Sequence, residues 1–93
     1  MSKSAFEFQV KDVYPSRDWK FADIKDWWDY CAKWEFAPGR SMMVYWESSN
    51  NQWKVDAAGC QGSGKSLREA ANEIHERFSE YARWACVIQP RRI

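Results

Sequence analysis

The chain has 93 residues, with 14 basic and 13 acidic side chains and a formal charge of +1. That length predicts a single domain over residues 1–93 with a modest core. The charge balance excludes a strongly basic nucleic-acid binder and an acidic nucleic-acid mimic, so any polyanion contact has to be a local patch. Seven tryptophans are more than so small a core can hide with every indole N–H satisfied, so some are expected near the surface, where Trp and Arg anchor interfaces. The competing reading is that a small domain uses large aromatics to gain burial.

Phe6, Phe8 and Val10 alternate with Glu7, Gln9 and Lys11, the pattern of a half-buried strand. Pro15 falls in the break that follows, because proline cannot donate to a ladder. Asp23 then precedes a helical pattern in which Ile24, Trp27, Trp28, Cys31 and Trp34 share a face. Asp23 and Asp26 suit the positive end of such a helix, and Pro38-Gly39 would close it. Ser41 to Glu47 reads as a second strand in which Met42, Met43, Val44, Tyr45 and Trp46 leave neither face polar. Ser48-Ser49-Asn50-Asn51 turns the chain into a third strand, with Trp53, Val55 and Ala57 on one side and Lys54 and Asp56 on the other. Ser66-Leu67-Arg68-Glu69 is a capping box. It opens a helix whose apolar stripe is Leu67, Ala70, Ala71, Ile74, Phe78, Tyr81 and Ala85. Ala85 to Ile88 either extends that helix or forms a short edge strand, and residues 89–93 make a basic C-terminal tail. The expected architecture is therefore α+β in the order β-α-β-β-α: an antiparallel sheet of three or four strands with two helices on one face.

Residues 59–66, Gly-Cys-Gln-Gly-Ser-Gly-Lys-Ser, match the phosphate-loop pattern G-x-x-x-x-G-K-S/T in full. A working phosphate loop lies between a buried parallel strand and a helix, with magnesium held by an acidic residue from another strand. Only 27 residues follow Ser66, too few for further crossovers. The alternating Gln52–Ala57 segment is also unlike a central parallel strand. The segment is read instead as a Gly/Ser loop feeding a helix N-terminus, which can still hold a phosphate. Nucleotide binding stands as the third functional reading.

Cys31, Cys60 and Cys86 are odd in number and far apart, and His75 is the only histidine. No metal site and no cofactor are expected from that set. His75 would have to serve as base for any cysteine nucleophile, and its place on the flank of a helix stripe suits packing better. Carboxylate pairs such as Glu73 and Glu76 sit beside compensating bases and read as a solvated face, so no catalytic residue is expected. The start of the chain carries no apolar stretch of signal-peptide length, and no run reaches membrane-spanning length. A cytoplasmic protein with reduced thiols is expected.

The stretch from Ser41 to Tyr81 resembles the HicB family of antitoxins. It carries a hairpin, the Gly59-Cys60 pair, and the helix start Gly64-Lys65-Ser66-Leu67-Arg68-Glu69-Ala70. The same segment, taken with the helix expected from Asp23 to Trp34, also resembles a double-stranded RNA-binding domain of α-β-β-β-α order. That family launches its last helix with lysines that sit on phosphates, which implies phosphate roles for Lys65 and Arg68. As a whole the chain is similar in size and character to small phage-encoded inhibitors, including anti-CRISPR proteins. That likeness implies a non-enzymatic domain that blocks a host protein or ribonucleoprotein complex, such as a CRISPR effector, by surface contact. The candidate contact residues are Arg17, Lys20, Arg40, Lys65 and Arg68 for phosphate or polar groups, and Met42, Met43 and Trp46 as apolar anchors. The alternative reading is an antitoxin-like or direct RNA- or DNA-binding module.

Overall fold

The computed structural model describes residues 1–23, 29–57, 59–78 and 88–91. Helix α1 (Lys3–Val13) comes first, where alternation predicted a strand. Ser2 caps it by accepting a hydrogen bond from the Ala5 amide at 3.1 Å. Phe6, Val10, Val13 and Tyr14 are buried, at the spacing i, i+4, i+7, i+8 of a helix face. Phe8 is 72% exposed. The alternation over residues 6–11 was a coincidence of six positions, and the burial continuing through Val13 and Tyr14 decides against a strand.

Five strands follow: β1 (Lys20–Asp23), β2 (Tyr30–Ala37), β3 (Arg40–Glu47), β4 (Gln52–Ala57) and β5 (Cys60–Gly64). They form one antiparallel sheet in the order β1-β2-β3-β4-β5, each strand beside the next. The fold is thus α+β, as expected, with two helices among the described residues. The sheet has five strands rather than three or four, and the order begins with a helix. The segment expected as a helix from Asp23 to Trp34 contributes the end of β1 and most of β2. Its first five helical positions, Ile24 to Trp28, lie outside the described residues. From Tyr30 on, apolar Tyr30, Ala32, Trp34 and Phe36 alternate with Cys31, Lys33 and Glu35, and this period of two prevails. Pro38-Gly39 does not end a helix. It turns β2 into β3, with Gly39 at φ +73°, the left-handed conformation that glycine supplies after a proline in a tight turn. The predicted hairpin from Ser41 to Ala57 is present, with Asn51 at φ +52° closing the Ser48–Asn50 3-10 turn.

Cross-strand register sorts the sheet into two faces. Phe21, Ala32, Val44, Val55 and Gly62 form one row, and Tyr30, Trp46, Trp53 and Gly64 lie in the next, all on the same side. Both helices cover this side. Phe6 of α1 stacks on Trp53 at 5.3 Å between ring centroids and on Tyr30 at 5.5 Å. The second helix, α2 (Leu67–Phe78), places Leu67, Ala70, Ala71 and Ile74 in the same core. Ser66 caps α2 by accepting from the Glu69 amide at 3.1 Å. Glu69 returns the contact one residue earlier than a standard capping box, accepting from the Lys65 amide at 3.1 Å. The continuation expected at Tyr81 and Ala85 lies outside the described residues.

The glycine-rich stretch is a strand, paired residue for residue with β4, where a loop was expected. A Cβ on Gly62 would collide with the Ala70 carbonyl oxygen and lie 2.7 Å from the Ile74 amide nitrogen; one on Gly64 would lie 2.6 Å from the Glu69 Cβ. These two glycines let α2 rest directly on the β5 backbone.

The expected tail is pinned along residues 88–91. The buried Tyr14 hydroxyl donates to the Ile88 carbonyl at 3.0 Å, and the Arg91 amide donates to the Val13 carbonyl at 2.8 Å. Among the described residues no helix is long and apolar enough to cross a membrane.

Candidate partner interface

The sheet side away from the helices carries a second set of rows. Lys20, Lys33, Met43, Asp56 and Gln61 are successive cross-strand neighbours, and Ala22, Cys31, Tyr45, Lys54 and Ser63 form the adjacent row. Toward β4 and β5 the polar groups satisfy one another. Tyr45 donates its hydroxyl to Asp56 at 3.3 Å, and Gln61 donates to the Tyr45 oxygen at 3.5 Å. The nearly buried Glu47 pairs with the Lys54 ammonium at 3.2 Å and accepts from the Asn50 amide. Burial and the neighbouring Asp56 carboxylate push the Tyr45 phenol up to about 12. Burial also raises the Cys31 thiol, partly opposed by Lys33, so Cys31 is held as the neutral thiol, a poor nucleophile.

Toward β1 and β2 the pattern changes. Lys20 and Lys33 stand directly opposite one another, both exposed, and neither ammonium has an ion-pair partner among the described residues. Like charges in this relation destabilise a sheet. With Asp18, Trp34 and Glu35 they line an open cleft of about 370 Å³. Trp34 supports its wall: the Arg17 guanidinium lies 4.9 Å over its ring and 5.6 Å over that of Tyr14. Arg17 is held in place by donating to the Pro15 carbonyl at 2.8 Å. A cation stacked this way is worth about 0.5–2 kcal/mol.

The basic residues singled out in the sequence thus divide. Arg17 lies over the Tyr14 and Trp34 rings, and Lys20 stands opposite Lys33 on the outward face. Arg40 is exposed at the β2–β3 turn. Lys65 is exposed at the turn before α2, and Arg68 lies on α2, its guanidinium donating to the Arg91 carbonyl at 2.7 Å. Lys65 and Arg68 therefore belong to the opposite side of the sheet from Lys20. Of the apolar anchors, Met42 is fully buried and Trp46 is 8% exposed, both in the core beneath the helices. They are corrected to core residues, because register turns Met42, Val44 and Trp46 inward; Met43 alone faces outward, half-buried beside Lys33. Sequence reasoning missed Lys33 and Glu35. The signal was their alternation with Ala32, Trp34 and Phe36, obscured by a helical pattern through the same tryptophan.

In the phosphate-loop match, Cys60 to Gly64 is extended. A phosphate cradle gathers successive N–H groups around one point, whereas a strand directs successive residues to opposite sides. Among the described residues no cluster of three potential metal ligands occurs. Compared with known proteins, the chain matches no family model, no curated protein and no solved structure.

Proposed function

We propose that this chain is a non-enzymatic binding protein that blocks a host nucleoprotein by surface contact, in the manner of an anti-CRISPR inhibitor. The reading rests above all on the opposed Lys20 and Lys33 beside the Arg17-capped Trp34. Two ammonium groups directly opposed on neighbouring strands, with no ion-pair partner among the described residues, weaken the isolated fold and become favourable once an anionic surface lies across them. With a net charge of +1, such contact would be local, adding a phosphate or acidic grip to a larger protein surface that Met43 helps form. Phosphates gripped there would add salt dependence and little sequence selectivity.

Affinity capture of the tagged protein from host lysate, with and without nuclease, tests this. One defined protein–RNA assembly that survives nuclease is the expected result. Reversing both charges, Lys20→Glu with Lys33→Glu, should weaken that assembly at least tenfold, while Lys65→Glu should leave it within about twofold. Recovery of nuclease-sensitive nucleic acid alone would overturn the inhibitor reading in favour of a direct nucleic-acid binder. Co-recovery of one small toxin would do so in favour of an antitoxin.

A further inference from the structure

A second cleft, of about 260 Å³, opens where α2 meets residues 89–91; Arg68, Asn72 and His75 line it from successive turns of the helix, with Gln89, Pro90 and Arg91 across from them. Its far wall is fastened. The Arg91 guanidinium pairs with Asp12 at 3.0 Å, its amide donates to Val13, and its carbonyl accepts one Arg68 nitrogen. After those bonds are made, the other terminal nitrogen of Arg68 and Nδ1 of His75 remain buried without a partner. Among the described residues no acidic side chain lines the cleft, and Asp12, the carboxylate nearest in its bonded network, is taken by Arg91. Arg68 is also the second residue of α2, where the helix dipole disfavours a cation and favours an anion. A buried arginine N–H with no acceptor is costly, and so is its position on the dipole; one negatively charged acceptor would relieve both.

We propose that this cleft binds a single small oxyanion, the phosphate or carboxylate group of a ligand, with Arg68 and His75 as its paired donors. The volume falls below the roughly 300–1,000 Å³ of clefts that hold drug-sized molecules, which suits one functional group. Neither nitrogen touches solvent in the unliganded fold, so the anion enters past the exposed side chains of Asn72 and Arg91. The site is independent of the Lys20–Lys33 surface and stands or falls separately from the nucleoprotein reading.

His75 is the only histidine, so its imidazole nitrogen resonances need no assignment. The intact protein is titrated with sodium phosphate, sodium acetate and sodium chloride at fixed pH and constant ionic strength. The expected result is a saturable shift of the His75 nitrogens with phosphate or acetate and none with chloride; whichever anion saturates at lower concentration identifies the ligand group. Asn72→Asp, at an exposed position that tolerates change, should weaken that binding at least tenfold by placing a carboxylate on the rim, and Arg68→Gln should abolish it. Lys20→Glu with Lys33→Glu should leave it within twofold. Non-saturating shifts with all three salts, or a saturable shift that persists in both cleft variants, would overturn the proposal.

Discussion

The two sides of the sheet's outward face solve the same problem differently. Around β4 and β5, Tyr45, Asp56 and Gln61 share hydrogen bonds, and Lys54 answers Glu47. Beneath them, Gly62 and Gly64 bring α2 into backbone contact. Around β1 and β2, two lysines oppose each other across neighbouring strands. The first arrangement is explained by the stability of the isolated chain. The second is not, since like charges directly opposed cost stability and neither ammonium has an ion pair among the described residues to offset that cost, a pattern that points to a partner.

The largest expected effect lies on the satisfied side. Gly62→Ala drives a methyl group into the Ala70 carbonyl, and overpacking of this kind costs about 3 kcal/mol. The urea midpoint should fall accordingly, and a change under about 0.5 kcal/mol would show that α2 is free to move off β5. Next is pH. The Tyr45 phenol has its pKa raised from 10.0 to about 12 in the fold. Its contribution is complete below pH 10, where folded and unfolded states both hold the proton. It declines between pH 10 and 12, as the unfolded chain alone releases it, and is lost as pH rises through the folded value. The buried Tyr14 is shifted in the same direction, so Tyr45→Phe should reduce the alkaline slope of stability without abolishing it. An unchanged slope would place the titration elsewhere. The smallest effect has the opposite sign. Lys33→Thr removes the like-charge pair and should stabilise the fold by about 0.2–1 kcal/mol, more in low salt than in high, while weakening partner capture. A loss of stability would show that the pair serves the fold after all.

How much of this was legible depended on how local the deciding forces are. The Ser41–Ala57 hairpin carries its own turn and its own alternation, and the α2 cap is written in Ser66 and Glu69; both were readable. The first helix was not, because Phe6, Phe8 and Val10 fit a strand over a short window, and only the burial of Val13 and Tyr14 against distant residues settles the period. Strand β5 was hidden by its glycines. Such residues disfavour strands by themselves, and Gly62 is extended because Val55 pairs with it on one side and α2 presses on it from above. The candidate interface was half visible. Arg17 and Lys20 stood out beside Trp19, but Lys33 could join them only once β2 was known to be a strand. Met42 and Trp46 looked like anchors because β3 is apolar on both faces, and the side that becomes core is chosen by helices remote in sequence.

Each strand of the sheet pairs with its immediate successor, so its contacts can form over short loops as the chain is synthesised, the kind of local assembly that proceeds quickly. Closure is another matter. Tyr14 waits for Ile88, and Val13 for Arg91, across more than seventy residues. Until residues 88–91 have left the ribosome, the buried Tyr14 hydroxyl lacks its acceptor and the Val13 carbonyl lacks the Arg91 amide. The hairpins therefore set the pace of early folding, and residues 88–91, which emerge after all five strands, act as the clasp that completes it.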